Sequence, residues 1–157
     1  MTAARRELLA SRAEVWGFLA EPYHLSDWWP GILSVDPDRR GFAPGARWNV
    51  QVIGDPPGLG PVRFPRIGRP SGPPRAATLV ITGIEPYERW AWQLIRRVPV
   101  GRDRAATQKS VEIELRAVSE DRTEVVVTVE SSARYDERLA LVAANRLYDL
   151  IQTAATL

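Results

Sequence analysis

The sequence predicts an α+β fold, with helices gathered on one face of an antiparallel sheet. Three observations carry this. Apolar residues recur at period two through about six segments in the middle of the chain. Two short helical segments precede that run, and one long segment of period 3.6 follows it. At 157 residues the chain is most economically one domain, long enough to bury a core without disulfides or metals.

A short strand is expected at Arg6–Leu9, ahead of the first helix. Residues 11–20, SRAEVWGFLA, form that helix. Ser11 is its N-cap, Glu14 completes a capping box, and Val15, Trp16 and Leu19 share one face. Pro22 stops it, since proline has no N–H to donate and disfavours a helical residue before it. A second short helix runs from Pro22 to about Trp29, and Pro30-Gly31 ends it. Neighbours on a helix stand ~100° apart, so Trp28 and Trp29 cannot point the same way. One is expected under the sheet edge, the other at a cavity mouth or in solvent.

The period then changes to two. A strand near Ile32–Asp36 comes first; RWNVQVIG follows, with Trp48, Val50 and Val52 on one face. ATLVITGIE is more continuously apolar. In ERWAWQLIR, Trp90, Trp92 and Leu94 share a face, and in SVEIELRAV the inward set is Val111, Ile113 and Leu115. TEVVVTVESSA repeats the pattern through Val125, Val127 and Val129, and the SEDRT junction predicts a hairpin. From about Asp136, with no proline or glycine after Gly101, Leu139, Ala143, Leu147, Leu150 and Ala154 form a helical stripe joined by Val142 and Ile151. That helix is roughly twenty residues, or ~30 Å. Residues 55–75 belong to neither period and hold seven of the 13 prolines. A loop of that length is either a variable insertion or a lid or binding segment.

Composition removes several functions. There is no cysteine, so no disulfide, thiolate metal site or cysteine nucleophile. With a single histidine, no metal site and no cofactor are expected. No phosphate-binding glycine motif, nucleophile elbow or HExxH stands in the chain. Net charge is +2, and basic and acidic residues interleave except for Arg63, Arg66, Arg69 and Arg75 in the loop, so no nucleic-acid partner is expected. No apolar run reaches membrane-spanning or signal-peptide length, and a cytoplasmic setting is expected. The chain is expected to be a monomer or a homodimer.

The segment SRAEVWGFLAEPYHLSDWWPGI, in this element order, resembles the START-like superfamily, also called SRPBCC or helix-grip. Within it the polyketide cyclase/dehydrase and lipid-transport branch is the most similar. The matching positions are Ala13-Glu14-Val15-Trp16, Glu21-Pro22 and Trp28-Trp29-Pro30-Gly31. The resemblance implies a curved sheet of about seven strands, with the long C-terminal helix packed across it. It implies a cavity between them, closed at one end by the short helices, that takes apolar or amphipathic molecules such as lipids, polyketides, sterols or quinones. The long 55–75 loop and the short first strand depart from the family pattern.

Binding of a small hydrophobic or amphipathic ligand is therefore the expected function. The residues expected to line the site are Trp48, Trp90, Trp92, Ile113 and Val127 from the sheet, and Arg146, Leu147 and Leu150 from the helix, with Phe64 closing the mouth. A cyclase/dehydratase-type enzyme and an interaction module using the 55–75 loop remain open alternatives. Catalysis would draw on His24, Arg146 or Tyr148. His24 has Glu21 and Asp27 three residues to either side, but as a surface histidine it needs no role. Arg146 borders the apolar stripe, where it would snorkel, pair with a strand carboxylate or meet an acidic head group. Tyr148 and Tyr135 are similar polar-tipped residues.

An empty pocket of about 300 Å³ would cost ~7 kcal/mol at ~24 cal/mol per Å³. That rivals the whole stability of a domain, ~5–15 kcal/mol. The cavity is therefore small and filled by tryptophan, or it holds water or a ligand.

Overall fold

The structure, a computed structural model, describes residues 2–53, 74–97, 106–131 and 138–155. Its elements run β1 (Thr2–Leu8), α1 (Arg12–Leu19), a 3-10 turn (Pro22–His24), α2 (Leu25–Trp28), β2 (Ile32–Asp36), β3 (Arg47–Val52), β4 (Arg75–Glu85), β5 (Arg89–Arg97), β6 (Ala106–Ser119), β7 (Arg122–Glu130) and α3 (Leu139–Ala155). Most of the 55–75 loop, with Phe64, and also Tyr135 lie outside the described residues.

Helix α1 begins where the cap predicts. The Ser11 hydroxyl accepts from the Glu14 backbone N–H at 3.2 Å and donates to the Glu14 carboxylate at 2.9 Å. The carboxylate thus grips the cap's side chain. The segment expected as one helix from Pro22 to Trp29 divides into the 3-10 turn and α2. Gly31, at φ 91, then turns the chain into β2.

The seven strands form one sheet in the order β1-β7-β6-β5-β4-β3-β2. Every neighbouring pair is antiparallel. Strand β1 starts earlier than Arg6, because pairing with β7 extends from Thr2↔Val129 to Leu8↔Thr123. Bulges in β2, β4 and the β6–β7 hairpin add local twist. The inward residues fall into register across the strands. Ile81, Trp92, Val111 and Val129 make one row, and Ile84, Trp90, Ile113 and Val127 the next. Thr123 is fully buried and donates to the Ala10 carbonyl at 2.9 Å, which fastens the approach to α1 onto β7.

Helix α3 packs on β1 and β7 and touches α2. Its buried residues are Ala140, Ala143, Ala144, Leu147 and Ile151. Val142, expected in the apolar stripe, is exposed, and so is Leu141. The helix is rotated so that Ala140 and Ala144 join Ala143, Leu147 and Ile151 on the buried face, and the alanines let the helix approach the sheet closely. Among the described residues no helix is long and apolar enough to cross a membrane.

Candidate functional site

The alternation of β5 sends Trp90 and Trp92 to the concave face, where both are fully buried, while Ala91 and Gln93 face the other way. Trp48 of β3 and Ile113 and Val127 of β6 and β7 are equally buried on the same face. Because α3 lies over β1 and β7, another layer covers β3 to β5. It is built from α2 and from residues 37–46, and its members are aromatic side chains.

Trp28 ends α2, and Trp29 has already left helical geometry at φ −88, ψ 119. That break sets the two indoles nearly perpendicular, 87° apart, with centroids 5.7 Å apart. Trp28 then packs on Trp90 at 6.5 Å and Trp29 on Trp92 at 4.9 Å. The expectation that one of the pair reaches a mouth or solvent is corrected here. Their exposures are 0% and 1%, since the break gives each ring its own strand-borne partner.

Phe42 completes the layer and went unnoticed in the sequence. Its ring lies 5.0 Å from Trp90, 5.5 Å from Trp16 and 6.5 Å from Trp48. The segment that carries it is folded around Asp38. The Asp38 carboxylate accepts from the backbone N–H groups of Arg47 (2.9 Å), Arg40 (2.9 Å) and Gly41 (3.2 Å). These bonds, the one from Arg47 first, hold its pKa below the ordinary 3.8. At the outer end, Trp16 meets Tyr87 at 6.1 Å. Tyr87 has φ 66, a left-handed conformation unusual for a residue with a Cβ. It occupies the third position of the β4–β5 turn, which Glu88 N closes onto Glu85 O at 2.9 Å. Around Trp90 and Trp92, the described residues therefore take the ring-filled form of the two anticipated from the cost of a void.

The three strand-borne indoles differ in one respect. Trp48 Nε1 donates to the Gly41 carbonyl at 2.7 Å. Trp90 Nε1 and Trp92 Nε1 are buried and meet no acceptor among the described residues. A buried donor left unpaired costs ~1–3 kcal/mol.

The other predicted residues fall in several places. Leu147 is fully buried in the core that contains the rings, and Leu150 packs against that core half-buried. Arg146 is exposed, contrary to its expected place beside the sheet-facing stripe, because the rotation of α3 carries it outward. The inward-reaching cation is Arg6 of β1. It donates to the Asn145 side-chain oxygen at 2.8 Å and stands 4.0 Å over the half-buried Tyr148 ring. His24 stacks on Phe18 at 4.1 Å, and its Nδ1 lies 2.8 Å from the Phe18 carbonyl, so the ring bonds backbone and neither flanking carboxylate. Among the described residues no group of three or more His, Asp or Glu could hold a metal ion.

The convex face bears a shallow depression of about 240 Å³, bordered by Thr82, Arg89, Gln93, Ser110 and Glu112. Arg89 and Glu112 pair there at 3.3 Å, and that bond raises the Arg89 pKa above its ordinary value. Its charges answer one another and it opens to solvent, which suits a solvated sheet face.

This curved seven-stranded sheet with a long C-terminal helix laid on it decides the architecture. The fold is the START-like, helix-grip fold. No protein-family model matches the sequence of this helix-grip domain, and no curated protein matches it either. Solved structures do. The di-domain aromatase/cyclase StfQ of the steffimycin biosynthetic pathway superposes with a TM-score of 0.67 at 14% identity, over 99% of this chain. The helix-grip chain spans about half of that protein, 46% of its length. The Zhui aromatase/cyclase from Streptomyces sp. gives a TM-score of 0.64 at 13% identity, covering 98% of this chain and 94% of that one. A protein from Deinococcus radiodurans gives 0.60 at 19% identity, with 98% of each chain covered.

Proposed function

We propose that this helix-grip domain binds a small hydrophobic or amphipathic molecule, of aromatic or polyketide type, against the concave faces of β3 to β5. The observation that carries this reading is the division of the concave face. Helix α3 covers the β1–β7 side with aliphatic residues, three alanines with Leu147 and Ile151. The β3–β5 side is covered by Trp28, Trp29 and Phe42, ring against ring. The rings of that layer meet edge to face, at 61–76°, so one of them can swing aside and leave a flat gap beside an indole, as an aliphatic side chain locked among its neighbours does not. The superposed proteins named as aromatase/cyclases lend support, because a name of that kind denotes action on molecules of this class.

Titration with an apolar fluorescent dye such as anilinonaphthalene sulfonate tests the proposal. The expected result is saturable binding near one dye per chain, with quenching of tryptophan emission. Non-saturating uptake across a panel of planar apolar compounds would refute it.

An aromatase/cyclase-type activity is the second reading, favoured by the same superpositions. It would need a polar group beside the bound molecule; of Tyr148, Arg146 and His24, Tyr148 packs against the core, whereas Arg146 faces outward and His24 is held at the Phe18 carbonyl, so these two would have to turn inward to act. Replacing each singly should abolish turnover of a linear poly-β-ketone surrogate if that residue acts, while dye binding persists. Turnover unaffected by all three replacements would remove them as catalysts.

A further inference from the structure

We propose that the indole N–H groups of Trp90 and Trp92 form a donor pair that receives a neutral oxygen acceptor of the bound molecule. The ligand is then an aromatic or otherwise apolar body carrying a carbonyl, phenolic or ether oxygen, and not a bare hydrocarbon. This rests on the ligand-binding reading above and adds the polar feature that such a ligand must carry.

Buried tryptophans ordinarily find a partner for their one donor. Trp48, in the same layer, follows that rule through the Gly41 carbonyl at 2.7 Å. Trp90 and Trp92 break it together. They stand two residues apart on one face of β5, with ring centroids 5.9 Å apart. Their surroundings are rings and aliphatic side chains: Trp28, Phe42 and Trp48 about Trp90, and Trp29 about Trp92, with Ile81, Ile84, Val111 and Ile113 across the strands. A ring face accepts an N–H only weakly. Two adjacent orphan donors in one apolar layer are what a site for an oxygen-bearing guest looks like before the guest arrives.

The same surroundings set the charge of the acceptor. Among the described residues the layer holds no cation, so an ionised carboxylate would lose its hydration there without compensation, and a neutral oxygen is preferred. Neither nitrogen reaches solvent in this structure, so the acceptor arrives in place of a neighbouring side chain. Phe42 is the member suited to yield. It is only half-buried, packs against Trp90 at 5.0 Å, and sits between Gly41 and Gly45, whose φ values are 62 and 85.

The test compares 9-fluorenone with fluorene, planar molecules of nearly one shape that differ by a carbonyl oxygen. Binding of each to the ¹⁵N-labelled 157-residue chain is followed through the six indole N–H signals. Trp90→Phe and Trp92→Phe assign two of the signals by their loss, and the comparison itself uses only the unaltered chain. Fluorenone is expected to bind about five- to tenfold more tightly per hydrogen bond accepted. The Trp90 and Trp92 signals are expected to move downfield with fluorenone and not with fluorene. Equal affinities with both signals unmoved would overturn the donor pair while leaving ligand binding intact. Binding of neither compound would overturn both readings.

Discussion

Trimming Trp48 and Trp90 to phenylalanine is the same chemical change at two equally buried sites, and the structure predicts different outcomes. Each substitution loses about two ring carbons, or ~1.6 kcal/mol of transfer free energy at ~0.8 kcal/mol per carbon. Each also loses an N–H. At Trp48 that removes a bond to Gly41 O and strands a carbonyl, adding ~1 kcal/mol, so Trp48→Phe should destabilise by about 2–3 kcal/mol. At Trp90 it removes an orphan whose burial already costs ~1–3 kcal/mol, so Trp90→Phe should fall near zero. The predicted gap is thus about 2–4 kcal/mol, and any residual cavity term is shared by both sites. Urea unfolding followed by far-ultraviolet circular dichroism measures it without relying on the indoles removed. Equal destabilisation of the two variants, with unchanged m-values, would refute the reasoning that Trp90 carries an unpaid donor.

Two further outcomes follow from local geometry. At Tyr87, whose φ is 66, glycine removes left-handed strain that alanine retains, so Tyr87→Gly should be more stable than Tyr87→Ala by about 1 kcal/mol in thermal or urea unfolding. Asp38 has a folded pKa below 3.8, so its contribution to stability is complete above the unfolded value and is lost as pH falls through the folded one. Stability measured between pH 6 and pH 2 should therefore drop at the acid end, and Asp38→Asn should be less stable at neutral pH with a flatter acid limb. An unchanged acid limb in Asp38→Asn would show that the carboxylate does not hold residues 37–46.

Much of the frame is legible in the residues. Ser11 and Pro22 bracket α1 because a cap and a missing N–H act locally. The inward faces of β3, β5, β6 and β7 follow from strict alternation, and Trp48, Trp90, Trp92, Ile113 and Val127 are buried as that pattern requires. Three things were not fully legible, each for a physical reason. The phase of α3 is legible in part: Ala143, Leu147 and Ile151 of the expected stripe are buried, but Ala140 and Ala144 are buried where hydropathy favours Val142, because small side chains permit close approach to the sheet. The same shift turns Arg146 outward, and the inward direction of Arg6 depends on a pairing with β7 that no local pattern announces. The parting of Trp28 and Trp29 depends on the extended conformation of one residue, and the missing acceptors of Trp90 and Trp92 depend on distant chain. Alternation fixes where an indole points but is silent on what meets its nitrogen.

The strand order also orders events in time. The aromatic layer draws its members from α1, α2, residues 37–46, β3 and β5, all of which precede β6, β7 and α3 in the chain. The aliphatic half waits for β6, β7 and α3, and β1, synthesised first, finds its hydrogen-bonding partner only in β7. Such distant pairing pays its loop-closure entropy late and slows folding. The ring cluster thus needs no residue beyond Trp92, whereas β1 has no strand to join until β7 is made, and closing that seam is the step on which completion of the sheet depends.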